Sequence, residues 1–228
     1  MQTYNFSLPL IIASAMWLSS PGAIAQSSAY SPDVHELNAD SLLSFDPAPE
    51  LDISSGGTIE FWVSPDWTDD PGYDPTILSN AGEQGPSYII AMLRDRDGLA
   101  IVSGETEDIV TFDFTDRALH HVAISQLDTG MVVFIDGEVV GTPDIKTSPL
   151  PSSGLWLGSI DGEGQVFDGA IAGLRFWSVD IPQDTLKKFA FSDIFGSGGE
   201  EHPDLQYLSA VSDFASGDLL ITEANEPL

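Results

Sequence analysis

The sequence predicts an all-β fold of two packed antiparallel sheets with one or two short peripheral helices. Three observations predict it. Apolar and polar residues alternate in short runs, as over 58–64, where Ile59, Phe61 and Val63 point one way and Thr58, Glu60 and Trp62 the other. Turn signals recur roughly every 8–12 residues, the spacing of sandwich strands. Helical periodicity is confined to two stretches near the C-terminus.

Residues 1–25 read as an export signal, with an apolar run over 8–18, the breaker Pro21-Gly22 and the small-residue site Ala23-Ile24-Ala25. The run is shorter than the roughly 20 apolar residues that span a bilayer, and no Lys or Arg precedes Leu8. Cleavage near Ala25 leaves a secreted or periplasmic chain, read as a single domain over 26–228. Its core lies over about 42–191 and a C-terminal extension over 192–228.

Within that domain, 26–39 is a polar lead-in and 42–45 a short strand. Strand 58–64 leads into the turn-rich acidic loop 66–74 (DWTDDPGYD). Strands follow at 76–78, 88–93, 99–103 and 109–114, with 105–108 read as a turn. A hairpin joins 121–127 to 131–135, and Asp136-Gly137 turns the chain again into 138–140. Val122 and Ile124 supply apolar partners for Val132 and Phe134 across that hairpin. Strands 155–160 and 170–177 complete the set. In the last, Phe176 and Trp177 are neighbours, so only one can enter the inter-sheet core. A helix is predicted over 182–191, with Pro182 in its first turn and Leu186, Phe189 and Ala190 on one face. A second is predicted over 203–214 from Leu205, Leu208, Val211 and Phe214. Residues 219–222 are read as a strand closing against the N-terminal segment.

Charge and cysteine content exclude several functions. The chain carries 36 Asp and Glu against 7 Lys and Arg, a net charge of −29. A mature domain of about 22 kDa exposes on the order of 9,000 Å², so net charges sit roughly 18 Å apart, about twice the Debye length at physiological salt. Nucleic acids and anionic membranes are therefore disfavoured partners. Two readings of the acidity remain: a solvated surface suited to saline surroundings, or loops that gather divalent cations. With no cysteine, disulfides, thiolate catalysis and thiolate metal sites are excluded.

Three blocks resemble a known family. Gly57–Pro65 (GTIEFWVSP), the hairpin from Leu119 to Gly141 with its His121-Val122-Ala123 and Ile135-Asp136-Gly137, and the block from Leu157-Gly158 through Phe167-Asp168-Gly169 to Leu174-Arg175-Phe176-Trp177 are similar to laminin-G-like and pentraxin-like jelly rolls of the concanavalin A-like superfamily. Leu119 stands where that family usually has Trp. The resemblance implies a jelly-roll sandwich and a lectin-like binding module for a glycan or a surface protein.

The same resemblance implies Ca²⁺ at a loop rim. Two acidic loops qualify: Asp161 and Glu163 with Asp168, which fall in a resembling block, and Asp69-Asp70 with Asp74. Exposed aromatics would suit a sugar platform. Of Trp62, Trp67, Tyr73 and Trp156, the loop residues Trp67 and Tyr73 are the expected ligand contacts. His120 and His121 point to opposite faces of a strand and cannot share a metal in regular geometry. Glycosidases of this superfamily resemble one another in a strand of spaced carboxylates, about 5–5.5 Å apart for retention; Glu60, followed by Phe61-Trp62, does not fit that pattern. The expected function is thus a secreted, non-catalytic lectin-like module, calcium-assisted if the rim binds cation. The alternatives are an assembly protein that self-associates or pairs with another chain, and an unusual glycoside hydrolase.

Overall fold

The computed structural model describes residues 33–82, 85–149, 154–190, 192, 194 and 200–221. Residues 1–25, read above as an export signal, lie outside the described residues, as does Thr222. Among the described residues fourteen strands follow one another. They are β1 (Val34–Leu37), β2 (Leu43–Phe45), β3 (Gly57–Pro65), β4 (Thr76–Gly82), β5 (Gly85–Met92), β6 (Gly98–Ser103) and β7 (Thr106–Thr111). Then come β8 (His120–Leu127), β9 (Gly130–Ile135), β10 (Glu138–Gly141), β11 (Leu155–Leu157), β12 (Gly169–Trp177), β13 (Leu208–Asp213) and β14 (Asp218–Ile221). One helix, α1 (Gln183–Phe189), separates β12 from β13.

Two antiparallel sheets face each other, as a jelly-roll sandwich requires. The larger, of eight strands, runs β10-β9-β8-β3-β12-β13-β14, with β1 also paired to β12. The smaller, of six, runs β2-β11-β4-β5-β6-β7. Strand β12 is the hub of the larger sheet. It pairs with β3 along one side; the other side is shared end to end by β1, at 169–172, and β13, at 175–177. Gly173, with φ 55, sits at the division.

The alternation read in β3 holds. Ile59, Phe61 and Val63 enter the inter-sheet core with Leu78, Ile90, Ile101, Val122 and Phe176. Thr58, Glu60 and Trp62 face the other way and are also buried. On that outer face Trp177 packs with Ile181, Leu186, Ile194 and Leu208, so α1 and the chain after it cap the sheet. The choice between Phe176 and Trp177 is resolved: Phe176 takes the core and Trp177 the cap.

Beneath the cap lies a buried polar knot. One oxygen of Glu60 accepts from Arg175 Nη1 and from Trp177 Nε1, each at 3.0 Å, and the other accepts from His121 Nε2 at 2.8 Å. Burial alone would raise the Glu60 pKa; the Arg175 charge and the His121 bond outweigh it and hold the carboxyl at about 2. Glu60 is therefore an ionised anchor with its oxygens engaged.

Three expectations are corrected. Residues 203–214 form no helix: a 3-10 turn over Leu205–Tyr207 leads into β13. The free edge of β12 recruits Leu208 and Ala210 into a strand, and sheet pairing overrides a helical spacing. The final strand pairs with β13 rather than with the N-terminal segment, through a turn closed by Gly217 N–H to Asp213 O at 2.9 Å. Strand β1, inside the polar lead-in, already occupies the remaining edge of β12. Thr106 to Asp108, read as turn, belong to edge strand β7.

Candidate functional site

The loops at one end of the sandwich carry two open recesses. The acidic loop 66–75, the β5–β6 turn 93–97 and the β7–β8 loop 112–119 meet there. Two arginines knit them together. Arg96 Nη1 donates to Trp67 O at 3.0 Å, and Arg117 Nη2 donates to the neighbouring carbonyl, Asp66 O, at 3.0 Å. The Arg117 guanidinium also pairs with the Asp66 carboxylate. Both arginines adopt left-handed backbone, φ 65 and 59, a conformation non-glycine residues adopt at a cost of roughly 1–2 kcal/mol. Such strain persists where surrounding bonds over-determine it, as the two pinned carbonyls do here.

The tie is reciprocal, because Trp67 Nε1 donates back to Arg94 O at 2.9 Å. The Arg94 N–H in turn donates to Asp74 Oδ1 at 3.0 Å. Between these crossed bonds runs a groove of about 440 Å³, lined by residues 67–70 and 94–96. A second recess, of about 430 Å³, is lined by Glu36, Asp116 and Arg117 among others and has Asp66 in its wall.

The expected ligand contacts separate. Trp67 is buried, at 8% exposure, with its ring edge-on to Phe167 at 5.4 Å. Its loop position suggested an open ring; packing on Phe167 and the bond to Arg94 O turn it into a groove wall instead. Tyr73 remains exposed, at 38%, and its hydroxyl donates to Val166 O at 3.2 Å. Its neighbour Asp74, through the bond to Arg94, joins it to the groove. Trp62 lies under the cap, tilted on His121.

The proposed cation ligands Asp161, Glu163 and Asp168 are exposed. Asp161 Oδ1 accepts the N–H groups of Glu163 and Gly164, folding the loop on itself, and Asp168 offers its carbonyl to Asp66 N. Among the described residues no three His, Cys, Asp or Glu side chains come together in a way that could hold a metal ion.

His120 holds the β7–β8 loop. Its Nδ1 lies 2.8 Å from Asp136 Oδ2 and its Nε2 3.1 Å from Asp116 Oδ1. Burial lowers its pKa, but the Asp136 and Asp116 bonds prevail and raise it. Sequence reading missed Arg94 and Arg96. The available signal was that three of only seven cations, Arg94, Arg96 and Arg117, fall in turns of an otherwise acidic chain.

The architecture has known counterparts. A proposed carbohydrate-binding protein from Bacteroides ovatus superposes with a TM-score of 0.53 at 19% identity, over 88% of this chain and 60% of its own. This chain thus spans about 60% of that protein's length. Trypanosoma rangeli sialidase gives a TM-score of 0.51 at 11% identity, over 74% of this chain and 28% of its own. A heptameric pentraxin from Limulus polyphemus gives 0.48 at 14%, over 73% and 78%. At such identities the likeness is one of fold. No curated protein matches the sequence. The family model described as the concanavalin A-like lectin/glucanases superfamily matches residues 37–187, and the chain belongs to that family.

Proposed function

We propose that the chain is a non-catalytic glycan-binding module of an exported protein, taking its ligand in the groove beside Trp67. One observation carries the reading: a groove of about 440 Å³ whose walls are fixed by crossed side-chain-to-backbone bonds before any ligand arrives. A preformed site spares the entropy of ordering loops on binding. Guanidinium donors and carboxylate acceptors along the groove match hydroxyls that both give and take hydrogen bonds. Tyr73, exposed in the same loop as Trp67, offers a ring for a sugar face. The carbohydrate-binding description of the Bacteroides ovatus protein points the same way. Glu60 is the carboxylate best placed in a core strand, and its ionised, fully bonded state gives a glycosidase no proton donor there. The test is calorimetric titration of the mature chain with oligosaccharides. Tyr73→Ala is expected to weaken binding by about 1–3 kcal/mol without changing the melting temperature, since its ring lies outside the core. Binding that survives Tyr73→Ala and every groove substitution would place the ligand elsewhere.

A second reading, self-association, rests on Leu220 and Ile221, exposed at 53% and 39% on the outer strand β14. An open apolar edge is a template for pairing. Light scattering on the wild type and on Leu220→Lys separates the two readings: a dimer dissolved by Leu220→Lys favours assembly, and a monomer removes it.

A further inference from the structure

We infer that the groove selects an uncharged glycan presenting neighbouring hydroxyls, and discriminates against carboxylated or sulfated ones; this rests on the glycan-binding reading above. Two side chains in the groove are uncommitted. Asp69 and Arg94 both line the groove, and among the described residues neither side chain makes a hydrogen bond or an ion pair. Beside them the Arg96 Nε–H is buried without a partner while its Nη1 is committed to Trp67 O. An acid and a base left apart across one groove offer an acceptor and a donor to a third party.

The chemistry of that third party follows from what each group can exchange. A hydroxyl donates one hydrogen bond and accepts others, so two adjacent hydroxyls can donate to Asp69 and accept from Arg94 at once. A ligand carboxylate or sulfate only accepts. It would satisfy the arginines but lie against Asp69, Asp70 and Asp95, three carboxylates against two guanidinia in the groove lining. The surrounding field compounds the mismatch. A net charge of −29 repels an approaching anion before contact and slows its association. Seen as charges alone, Arg94 and Arg96 would suggest an anion site; seen with their neighbours, they complete a mixed surface for a neutral polyol.

The experiment is a panel of neutral oligosaccharides (arabinan, xylan and glucan fragments) and acidic ones (sialyllactose, oligogalacturonate) titrated against the mature chain at about 0.01 M and about 0.15 M salt. Neutral members are expected to bind, with affinities changing less than about twofold across that range, because no net charge is neutralised. Arg94→Gln and Asp69→Asn are each expected to lower that affinity about fivefold to tenfold, the loss of one charge-assisted bond. Both residues are exposed, so melting temperatures should stay put. Glu36→Gln, in the neighbouring recess, is expected to change nothing. Tighter binding of the acidic members overturns the inference while leaving a glycan-binding module. So does loss of affinity on Glu36→Gln but not on Arg94→Gln. Binding to no member of either class overturns the glycan-binding reading itself.

Discussion

Glu60 stays ionised inside the protein because its oxygens meet three donors and a full positive charge. Removing the carboxylate leaves the Arg175 charge buried and uncompensated: Glu60→Gln should cost about 3–5 kcal/mol, as breaking a buried ion pair does. Urea unfolding would measure it. The double variant Glu60→Met with Arg175→Met should lose less than the sum of the singles, because no lone charge is left buried. The depressed pKa also fixes an acid limb. Stability from Glu60 is present above its ordinary value near 4.5 and disappears as pH falls toward about 2. Two histidines set opposite slopes nearer neutrality. His120, raised by its two carboxylates, contributes stability that is whole below an unfolded pKa of about 6.5 and lost as pH climbs through its folded value. His202 stacks on Trp177 at 4.5 Å and takes the Asp204 N–H on Nδ1. Burial lowers its pKa, so its contribution falls as pH drops below about 6.5. Imidazole NMR titrations should show the two moving apart, and His120→Asn should erase only the alkaline loss.

At the scale of elements, the groove is held by loops rather than strands. Arg96→Gln should therefore raise amide exchange across 66–75 while leaving global stability within about 1 kcal/mol. Exchange unchanged in the loop would show that Trp67 and Arg117 fix it without Arg96. How much of this was legible in the sequence depended on whether the cue was local. The Asp136-Gly137 hairpin was plain, because φ 52 and 77 at those positions is what an Asp-Gly turn supplies. Phe176 and Trp177 could be assigned to opposite faces by alternation alone. Strand β13 could not, since the spacing of Leu205, Leu208 and Val211 fits a helix and only the vacant edge of β12 decides otherwise. Strand β1 was hidden for the same reason: its exposed Val34 and Glu36 look like a lead-in until β12 pairs with them. Trp67 was misjudged because an acidic, turn-rich neighbourhood says nothing of Phe167, a hundred residues on, which buries it. Tyr73 stood where its surroundings suggested.

For the whole molecule, the excess of 36 acids over 7 bases is the dominant long-range term. Raising salt from about 0.01 M to about 0.15 M shrinks the Debye length from about 30 Å to about 8 Å, so the melting temperature should rise. At matched ionic strength, calcium and magnesium give the same gain where charge screening alone acts. A calcium-specific increment, reversed by chelator, would establish a rim cation site.

The central strand of the larger sheet is also nearly its last to be made. Strands β1 and β3 leave the ribosome more than a hundred residues before the β12 segment that must sit between them. Contacts of such long sequence separation close late. A nascent chain arrested at Asp168 is therefore expected to lack protected amides in β1, which pairs with β12, and to be cut readily by protease, whereas one released through Ile221 resists. A sheet that waits this long for its middle strand leaves the earlier segments unlocked while the chain is still being made.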